Sequence, residues 1–474
     1  MRRHPIAIAI TSLLLTSTAL AKDAVVTTPD DQKSLAITIY NSNLALVKDQ
    51  REVSLPKGEF ALELAGVSAQ IKPETALLRN TKAEGAITVL EQNFDFDLLT
   101  PAKLLDKSVG KTLALIKTHP ESGEQTSHKA KILATNAGVV AEVDGKIMTN
   151  PEGQYVFDSL PNNLRAAPTL TTQVANSRSG KTDLELSYLT NGLSWKADYV
   201  AELTDNTLAL ASWVTLNNHS QVDYNNATVQ LVAGDVNQVQ ERPEMHAMAV
   251  MKSKREMIFE DTAVENIGEY KLYTLPRKTT IANAQTKQVA LFNASGVKVK
   301  EHLIFEWAPI GRYTQQSTLE DRSKARVELA MTNDKAHNLG LAMPKGIVRV
   351  YQKDSQGRAQ FIGEDRLEHT AEGEKIKLNL GSSFDVSATR TQTAFKHLPK
   401  LGNHTRTNTA YNIEINNAKD KPVTVLLREQ FADEWEMGNA SEPYKKLNAS
   451  TVQWELTIPA KSKKTLSFDA TVKY

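Results

Sequence analysis

Apolar and polar residues alternate at every second position through most of this 474-residue chain, in short runs separated by turn signals. Clear runs lie at residues 35–67, 208–216 and 227–232, and a turn signal at 354–357 predicts a hairpin. Because successive side chains of a strand point to opposite faces, this period of two predicts strands with one buried face. The sequence therefore predicts a mostly β, multidomain protein of sandwich-like and barrel-like units, ending in an immunoglobulin-like sandwich.

One segment departs from this pattern and predicts a short helix. Pro101 stands where a first helical turn accepts proline, and Gly110 is a stop signal. We read residues 100–176 as a small β unit that carries this helix and is inserted into a larger β domain. The predicted organisation is a signal peptide at 1–21, an N-terminal β segment at 22–99, the inserted unit, a central β domain at 177–310 and a C-terminal sandwich region at 311–474.

The dipeptide Asn191-Gly192 stands between two alternating runs and predicts a type I′ hairpin. A two-residue loop at this point would fix the pairing of the two strands. All apolar positions, Trp195 among them, would then share one buried face. The same register would place Glu185 directly opposite Asp198, which is an unfavourable arrangement of like charges.

The first residues have the order of a secretory signal peptide. Arg2 and Arg3 form a basic start, residues 6–15 are apolar, and Ala19-Leu20-Ala21 is a cleavage signal. We therefore expect cleavage after Ala21, a periplasmic or surface-exposed product, and no transmembrane span in that product. The chain has no Cys, which excludes a disulfide framework, a lipidated cysteine and thiolate catalysis.

Composition and motifs exclude several function classes. Lys plus Arg is 56 and Asp plus Glu is 55, so no strong field favours nucleic acid as a partner. The nucleophile elbow, the phosphate-binding loops and the zinc-binding histidine spacing do not occur, and we expect no cofactor. The acidic stretch "EQFADEWE", residues 429–436, lacks the spacing of a calcium loop and is read as a solvated face.

Four carboxylates are the candidates for catalysis. Asp95 and Asp97 are two residues apart, which on a strand places them on one face about 7 Å apart, a separation that inverting glycoside hydrolases use. Glu185 and Asp198 form a second pair if the predicted hairpin exists. Lys196 on the same face would neutralise that pair, or else a bound cation or a shared proton would. The competing interpretation of all four is a polar strand face.

A methionine-rich segment is the candidate for metal binding. Met245, His246, Met248 and Met251 lie close together in residues 238–268, where the alternation stops and a mobile loop is predicted. Thioether sulfur is a soft ligand that suits Cu(I). The alternative is a flexible loop that binds no metal.

Charged residues recur along the later strands without apolar bands, at Lys298, Lys300, Arg349, Lys375 and Lys377. A membrane-embedded β-barrel would present a continuous apolar band to lipid on alternate residues. These charges favour strands that lie outside the membrane over strands of a barrel embedded in the outer membrane.

Several segments are similar to a known family. They include "AITIYNSNLALVKDQREVSLPKG", "NFDFDLLTPAKLLDKSVGK", "YLTNGLSWKADYVAEL", "ATVQLVAGDVN", "LPRKTTIANAQTKQVAL" and "GIVRVYQKDSQGRAQFIGED". Over nearly the whole mature chain the sequence resembles domain of unknown function family 4139, which includes mucoidy-inhibitor-A-like exported bacterial proteins. The resemblance implies an exported, β-rich architecture and transfers no catalytic residue.

The sequence predicts an exported, non-enzymatic binding or scaffolding protein of the bacterial cell envelope. The expected partner is an envelope protein or polysaccharide. The alternative is a hydrolase that acts on envelope polysaccharide or peptide through the four candidate carboxylates.

Overall fold

A computed structural model describes residues 24–95, 97–161, 164–234, 236–237, 263–310 and 320–474. Most of these residues are in β-strands, and one short α-helix, α1 (Pro101–Asp106), lies among them. Short 3-10 turns are found at Pro29–Asp31, Pro73–Thr75 and Lys335–His337. Within the described ranges, no helix has the length and apolar character needed to cross a bilayer. The predicted mostly β class is confirmed.

The strands are numbered in chain order. The first part of the chain contains β1 (Val25–Thr27), β2 (Gln32–Tyr40), β3 (Leu44–Leu55), β4 (Gly58–Ala65), β5 (Leu77–Asn80), β6 (Ile87–Asp95), β7 (Thr112–Thr118), β8 (Gln125–Ala134), β9 (Val140–Val143), β10 (Lys146–Thr149), β11 (Gln154–Val156) and β12 (Thr169–Asn176). The middle part contains β13 (Gly180–Thr190), β14 (Leu193–Thr204), β15 (Thr207–Asn218), β16 (Tyr224–Ala233), β17 (Ala263–Ile267), β18 (Tyr270–Thr274), β19 (Thr279–Ile281), β20 (Gln285–Glu306) and β21 (Glu320–Thr332). The last part contains β22 (Gly346–Lys353), β23 (Ala359–Leu367), β24 (Lys375–Leu401), β25 (His404–Asn417), β26 (Val423–Gln430), β27 (Glu434–Ala440), β28 (Lys445–Lys446), β29 (Thr451–Ile458) and β30 (Ser462–Lys473).

The first and largest core lies between facing sheets. An eight-stranded sheet of order β17-β18-β16-β2-β3-β13-β5, with β19 beside β16, covers one side. The β23-β22-β14-β15-β20 part of a thirteen-stranded sheet covers the other, and the four-stranded sheet β1-β4-β12-β6 adds further apolar side chains. Leu35, Ile37 and Ile39 alternate with exposed or half-buried neighbours on β2 and are buried, as the period of two requires.

The Asn191-Gly192 turn does not close a hairpin, and the predicted pairing is wrong. β13 pairs with β3 and β5, whereas β14 pairs with β15 and β22 in the facing sheet. Only Gly192 of the two turn residues has a positive φ, 87°, so the turn is not type I′. The turn carries the chain from one sheet to the other. Trp195 is buried as predicted, because both strands direct their apolar faces into the same core.

Residues between β6 and β12 form a small unit with a core of its own. Its five-stranded sheet has the order β10-β9-β8-β7-β11 and buries Leu115, Ile132 and Ala141. Leu105 of α1 packs against this core. The helix begins after Thr100, whose side chain accepts a hydrogen bond from the Lys103 amide, and it ends at Asp106, before the predicted stop at Gly110.

Three long strands join the first core to a second one. β20, β21 and β24 contribute Val297, Leu329 and Leu378 to the first core, and further along they contribute Phe305 and Val386, among others, to the second. β25, β26, β29 and β30 complete the second core. The predicted hairpin at 354–357 is confirmed, since β22 and β23 pair directly across it.

Candidate functional site

A concave surface of about 540 Å³ lies where the two cores meet, on the strand faces that point away from both cores. We call it the basic groove. Its polar lining is Lys298, Lys300, His302, Glu328, Thr332, His337, Lys375, Lys377, Arg428 and Gln453. It therefore holds five cationic side chains and one carboxylate.

Strand register explains why lysines meet here. Lys300 of β20 stands directly opposite Ala330 of β21, and Ala330 stands directly opposite Lys377 of β24. The three residues form one row across three strands, with a small side chain in the middle. Since neighbouring strands lie about 4.8 Å apart, the backbones of the two lysines are about 10 Å apart.

A second row lies two residues further along the strands. Thr332 of β21 stands opposite Lys375 of β24. Lys298 lies two residues before Lys300 on β20 and therefore on the same face, since the core residue Val299 separates them. We call Lys298, Lys300, Lys375 and Lys377 the four-lysine frame. Thr332 and Ala330 form its low floor.

No carboxylate among the described residues neutralises the charges of the frame. None of its lysines forms an ion pair with a described carboxylate. The Lys298 ammonium donates a hydrogen bond to the Ala336 carbonyl oxygen at 3.1 Å. Arg428, beyond the frame, donates from Nε to Oε1 of Gln453 at 3.0 Å. The groove therefore exposes cationic side chains to solvent, and their ammonium groups have further hydrogen-bond donors available.

Acidic and titratable groups stand beside the frame. Glu328 is opposite His302 in the register, is only 5% exposed, and accepts a hydrogen bond from Arg326 Nη1 at 3.2 Å. Burial, and then the nearby charge of Lys300, lower the pKa of His302, which keeps its imidazole neutral at neutral pH. The four-lysine frame therefore ends at the row of His302 and Glu328, beyond which Arg428 is the remaining cation of the groove.

Asp95 is the last residue of β6 and Asp97 lies beyond its end, so the two are not on one strand as predicted, and each carboxylate lies beside cations. Asp95 Oδ2 is 3.3 Å from Arg165 Nη2, and Asp97 is 3.3 Å from Lys103 Nζ and 2.9 Å from Lys107 Nζ. The Lys107 hydrogen bond, followed by that of Lys103, lowers the pKa of Asp97. The two lysines thereby stabilise the ionised form of Asp97.

Glu185 and Asp198 lie on strands of different sheets and are not opposed, contrary to the predicted register. Glu185 faces neighbours on β3 and β5. Asp198 Oδ1 accepts from Arg349 Nη1 at 3.0 Å, and the Lys196 ammonium is 3.9 Å from Oδ2. Lys196 therefore lies beside Asp198 as expected, but the like charge that it was to offset is elsewhere.

The methionine-rich candidate, with Met245, His246, Met248 and Met251, lies outside the described residues. The C-terminal end of the segment predicted as a loop forms β17. In the part of the chain that the structure describes, no three His, Asp or Glu side chains are grouped to hold a metal ion.

The family model described as Domain of unknown function (DUF4139) matches residues 184–474, which is more than half of the chain. The chain belongs to this family. The search of curated proteins found none that matches the chain. The basic groove lies wholly within the DUF4139 region, whereas Asp95 and Asp97 lie before it.

The DUF4139 region also buries an ion pair. Glu429 Oε2 accepts from Arg390 Nη2 at 3.0 Å, with both side chains at most 2% exposed. The Arg390 guanidinium lies 4.2 Å from the Tyr411 ring centroid and 5.7 Å from that of Trp307. Burial raises the pKa of Glu429 to about 7, against the opposing effect of Arg390 and with a smaller contribution from Asp321. The prediction that "EQFADEWE" is a solvated face is wrong for its first residue.

Sequence reasoning missed the groove, although a signal for it existed. The pattern Lys-x-Lys occurs at 298–300 and at 375–377, each time around a buried residue. On a strand, such a pair directs both charges to one face. Each pair alone is typical of an exposed strand face in any β protein. Only the pairing of both strands with β21 makes the two patterns one site.

Proposed function

We propose that the protein is an exported, non-enzymatic binding component of the bacterial cell envelope that holds an anionic ligand in the basic groove. The single observation that carries this proposal is the four-lysine frame, whose charges face solvent without a carboxylate partner among the described residues. The signal-peptide pattern of residues 1–21 supports export. Membership of the DUF4139 family is consistent with an undetermined molecular activity.

Binding is better supported than hydrolysis by the carboxylates. A glycoside hydrolase of the predicted kind needs one carboxyl kept protonated beside a second, ionised one. The pKa of Asp97 is instead lowered by its two lysine neighbours, which is the opposite of what a general acid requires. Asp95, Glu185 and Asp198 belong to three different sheets. The basic groove, by contrast, collects like charges that a ligand of opposite charge would stabilise.

The test compares an anionic polymer with its neutral counterpart. Dextran sulfate and dextran share a backbone and differ in charge, and binding to residues 22–474 is measured by calorimetry at low and high salt. The test variant is Lys300→Gln with Lys377→Gln. The matched control is Lys129→Gln with Lys131→Gln, which removes two exposed lysines of a K-x-K pattern on β8 that form no ion pair with a described carboxylate.

We expect dextran sulfate to bind and dextran not to bind. The groove variant should weaken binding by about tenfold or more and the control variant by much less, since charges focused in a concave site act together. Added salt should weaken binding, because it screens exposed charges. Absence of dextran sulfate binding at low salt, or equal losses in the two variants, would contradict the proposed function.

A further inference from the structure

We infer that the four-lysine frame is a seat for a single phosphate group carried by a sugar. This inference rests on the proposed function, because it assigns a ligand class to the same groove. It adds a specific position, above Ala330 and Thr332, and a specific shape of ligand.

The dimensions of the frame fit one compact anion. Its two lines of lysines, 298 with 300 and 375 with 377, are separated by two strand spacings, about 10 Å, and its two rows lie about 7 Å apart. Lysine has a flexible four-carbon stem, so all four ammonium groups are able to reach a group placed at the centre. The floor residues Ala330 and Thr332 are small and leave room for that group.

The charge of the frame favours phosphate over a carboxylate. A phosphomonoester carries a charge of about −1.5 to −2 at neutral pH and three strong acceptor oxygens, so it engages several ammonium donors at once. A carboxylate offers one charge and two oxygens. Four lysines surround one floor and none is paired with a carboxylate in the described ranges, so the larger charge of a phosphate is bound more favourably than that of a carboxylate.

The row of residues beyond the frame determines which chemical group can adjoin the phosphate. Glu328 lies two residues before Ala330 on β21, about 7 Å away, with neutral His302 opposite it. A second phosphate in this row would lie against the Glu328 carboxylate, so one anionic group of a ligand occupies the frame and the rest of a polyanion would stay outside this row. Glu328 and Gln453 are instead suited to hydrogen-bond with hydroxyl groups. A phosphate attached to a sugar satisfies both parts of the groove.

The binding test uses small probes by calorimetry on residues 22–474. The probes are glucose 6-phosphate, inorganic phosphate, glucuronate and glucose. We expect affinity to fall in that order, with glucose not binding. Phosphatidylcholine vesicles with and without a phosphorylated glycolipid form a second arm, which distinguishes a lipid-linked sugar phosphate from a free one. Retention on the glycolipid vesicles, competed by glucose 6-phosphate, would identify the lipid-linked source.

The deciding variant is Ala330→Leu. It leaves every charge in place and fills the floor of the frame, and we expect it to weaken glucose 6-phosphate binding by about tenfold or more through steric overlap. Ala330→Ser is the control, because it keeps the floor small. Glu328→Gln should reduce the preference for glucose 6-phosphate over inorganic phosphate. Unfolding midpoints of all variants, measured in parallel, separate loss of the site from loss of the fold.

The outcomes separate the two proposals. If Ala330→Leu binds glucose 6-phosphate as the wild type does, or if glucuronate binds as tightly as glucose 6-phosphate, the phosphate seat is wrong. The general anion-binding function would still stand if dextran sulfate binding depends on Lys300 and Lys377. If no anionic probe binds at all, both proposals are wrong.

Discussion

The first core and the second core each bury an arginine–carboxylate ion pair, but the two pairs are satisfied to different degrees. Beside the first core, Arg51 donates to Asp49 Oδ2 from Nε at 2.9 Å and from Nη2 at 2.7 Å. Its Nη1 donates to the Thr27 carbonyl oxygen at 3.0 Å. Gln32 Nε2 donates to the other Asp49 oxygen at 2.7 Å. Both charged groups of this pair are therefore surrounded by partners.

The pair in the second core has fewer hydrogen bonds. Arg390 Nη2 donates to Glu429 Oε2, but Arg390 Nε, Glu429 Oε1 and Trp307 Nε1 are buried with no hydrogen-bond partner in the part of the chain that the structure describes. Each such atom is expensive to leave unpaired, and desolvation of two charges offsets much of their attraction. Equal burial therefore does not make two ion pairs equivalent, because the surrounding hydrogen bonds decide how well each charge is held.

The largest loss is expected from removal of the well-satisfied arginine. Arg51→Met leaves the Asp49 carboxylate buried without its cation and the Thr27 carbonyl without that donor, and we expect a loss of about 4 kcal/mol in the free energy of unfolding, measured with denaturant. Adding Asp49→Leu should recover only part of it, because the partners on Thr27 and Gln32 remain unpaired. Full recovery would show that the extra hydrogen bonds contribute nothing.

The equivalent change in the second core should cost less. Arg390→Met leaves Glu429 buried without its partner, and we expect a loss of about 3 kcal/mol at neutral pH by the same measurement. Adding Glu429→Leu should recover most of that loss, because an apolar pair of similar volume often replaces a buried ion pair without cost. A double variant no more stable than Arg390→Met would indicate that the pair is a net stabilising contact.

The poorly satisfied pair should also make stability depend on pH. The pKa of Glu429 is about 7 in the folded chain, whereas in the unfolded chain it has the ordinary value of 4.5. Between these two pH values the folded state therefore binds a proton that the unfolded state lacks. Stability contributed by this group is fully present below about pH 4.5 and is lost as pH rises through 7. Unfolding midpoints of the wild type should fall from pH 5 to pH 8. Glu429→Gln should flatten this slope, and an unchanged slope would exclude Glu429 as its cause.

An exposed ion pair on the second core's outer face provides the smallest effect. Lys463 and Glu414 are 2.7 Å apart, with side chains 60% and 49% exposed. Lys463→Gln should change the free energy of unfolding by less than about 1 kcal/mol, because solvent screens the pair. A loss comparable to that of Arg390→Met would mean that burial is not what separates these two ion pairs.

The faces of the strands could be predicted from the sequence, but their partners could not. Tyr188 and Trp195 are both buried, as the alternation indicates, yet they belong to facing sheets. Alternation reports which side of a strand meets the core. A short turn can join neighbours in one sheet or connect two sheets that share a core, and the apolar pattern is the same in both cases.

The basic groove and Glu429 lay beyond sequence reasoning for a related reason. Lys300 and Lys377 become neighbours only because both strands pair with β21, over a long sequence separation. Glu429 has acidic residues after it in the sequence, but Arg390 lies on another strand. Local patterns carry no information on which distant strands become neighbours, and both sites depend on that choice.

The passage of β20, β21 and β24 through both cores has a mechanical consequence. A linker between two domains yields by bending, but here a rotation of one sandwich against the other also has to bend three hydrogen-bonded strands. A pulling force on the C-terminal strands is accordingly transmitted as shear along β24 into the first core. We therefore expect the two cores to move as one stiff body. The width of the basic groove between them is then set before a ligand binds.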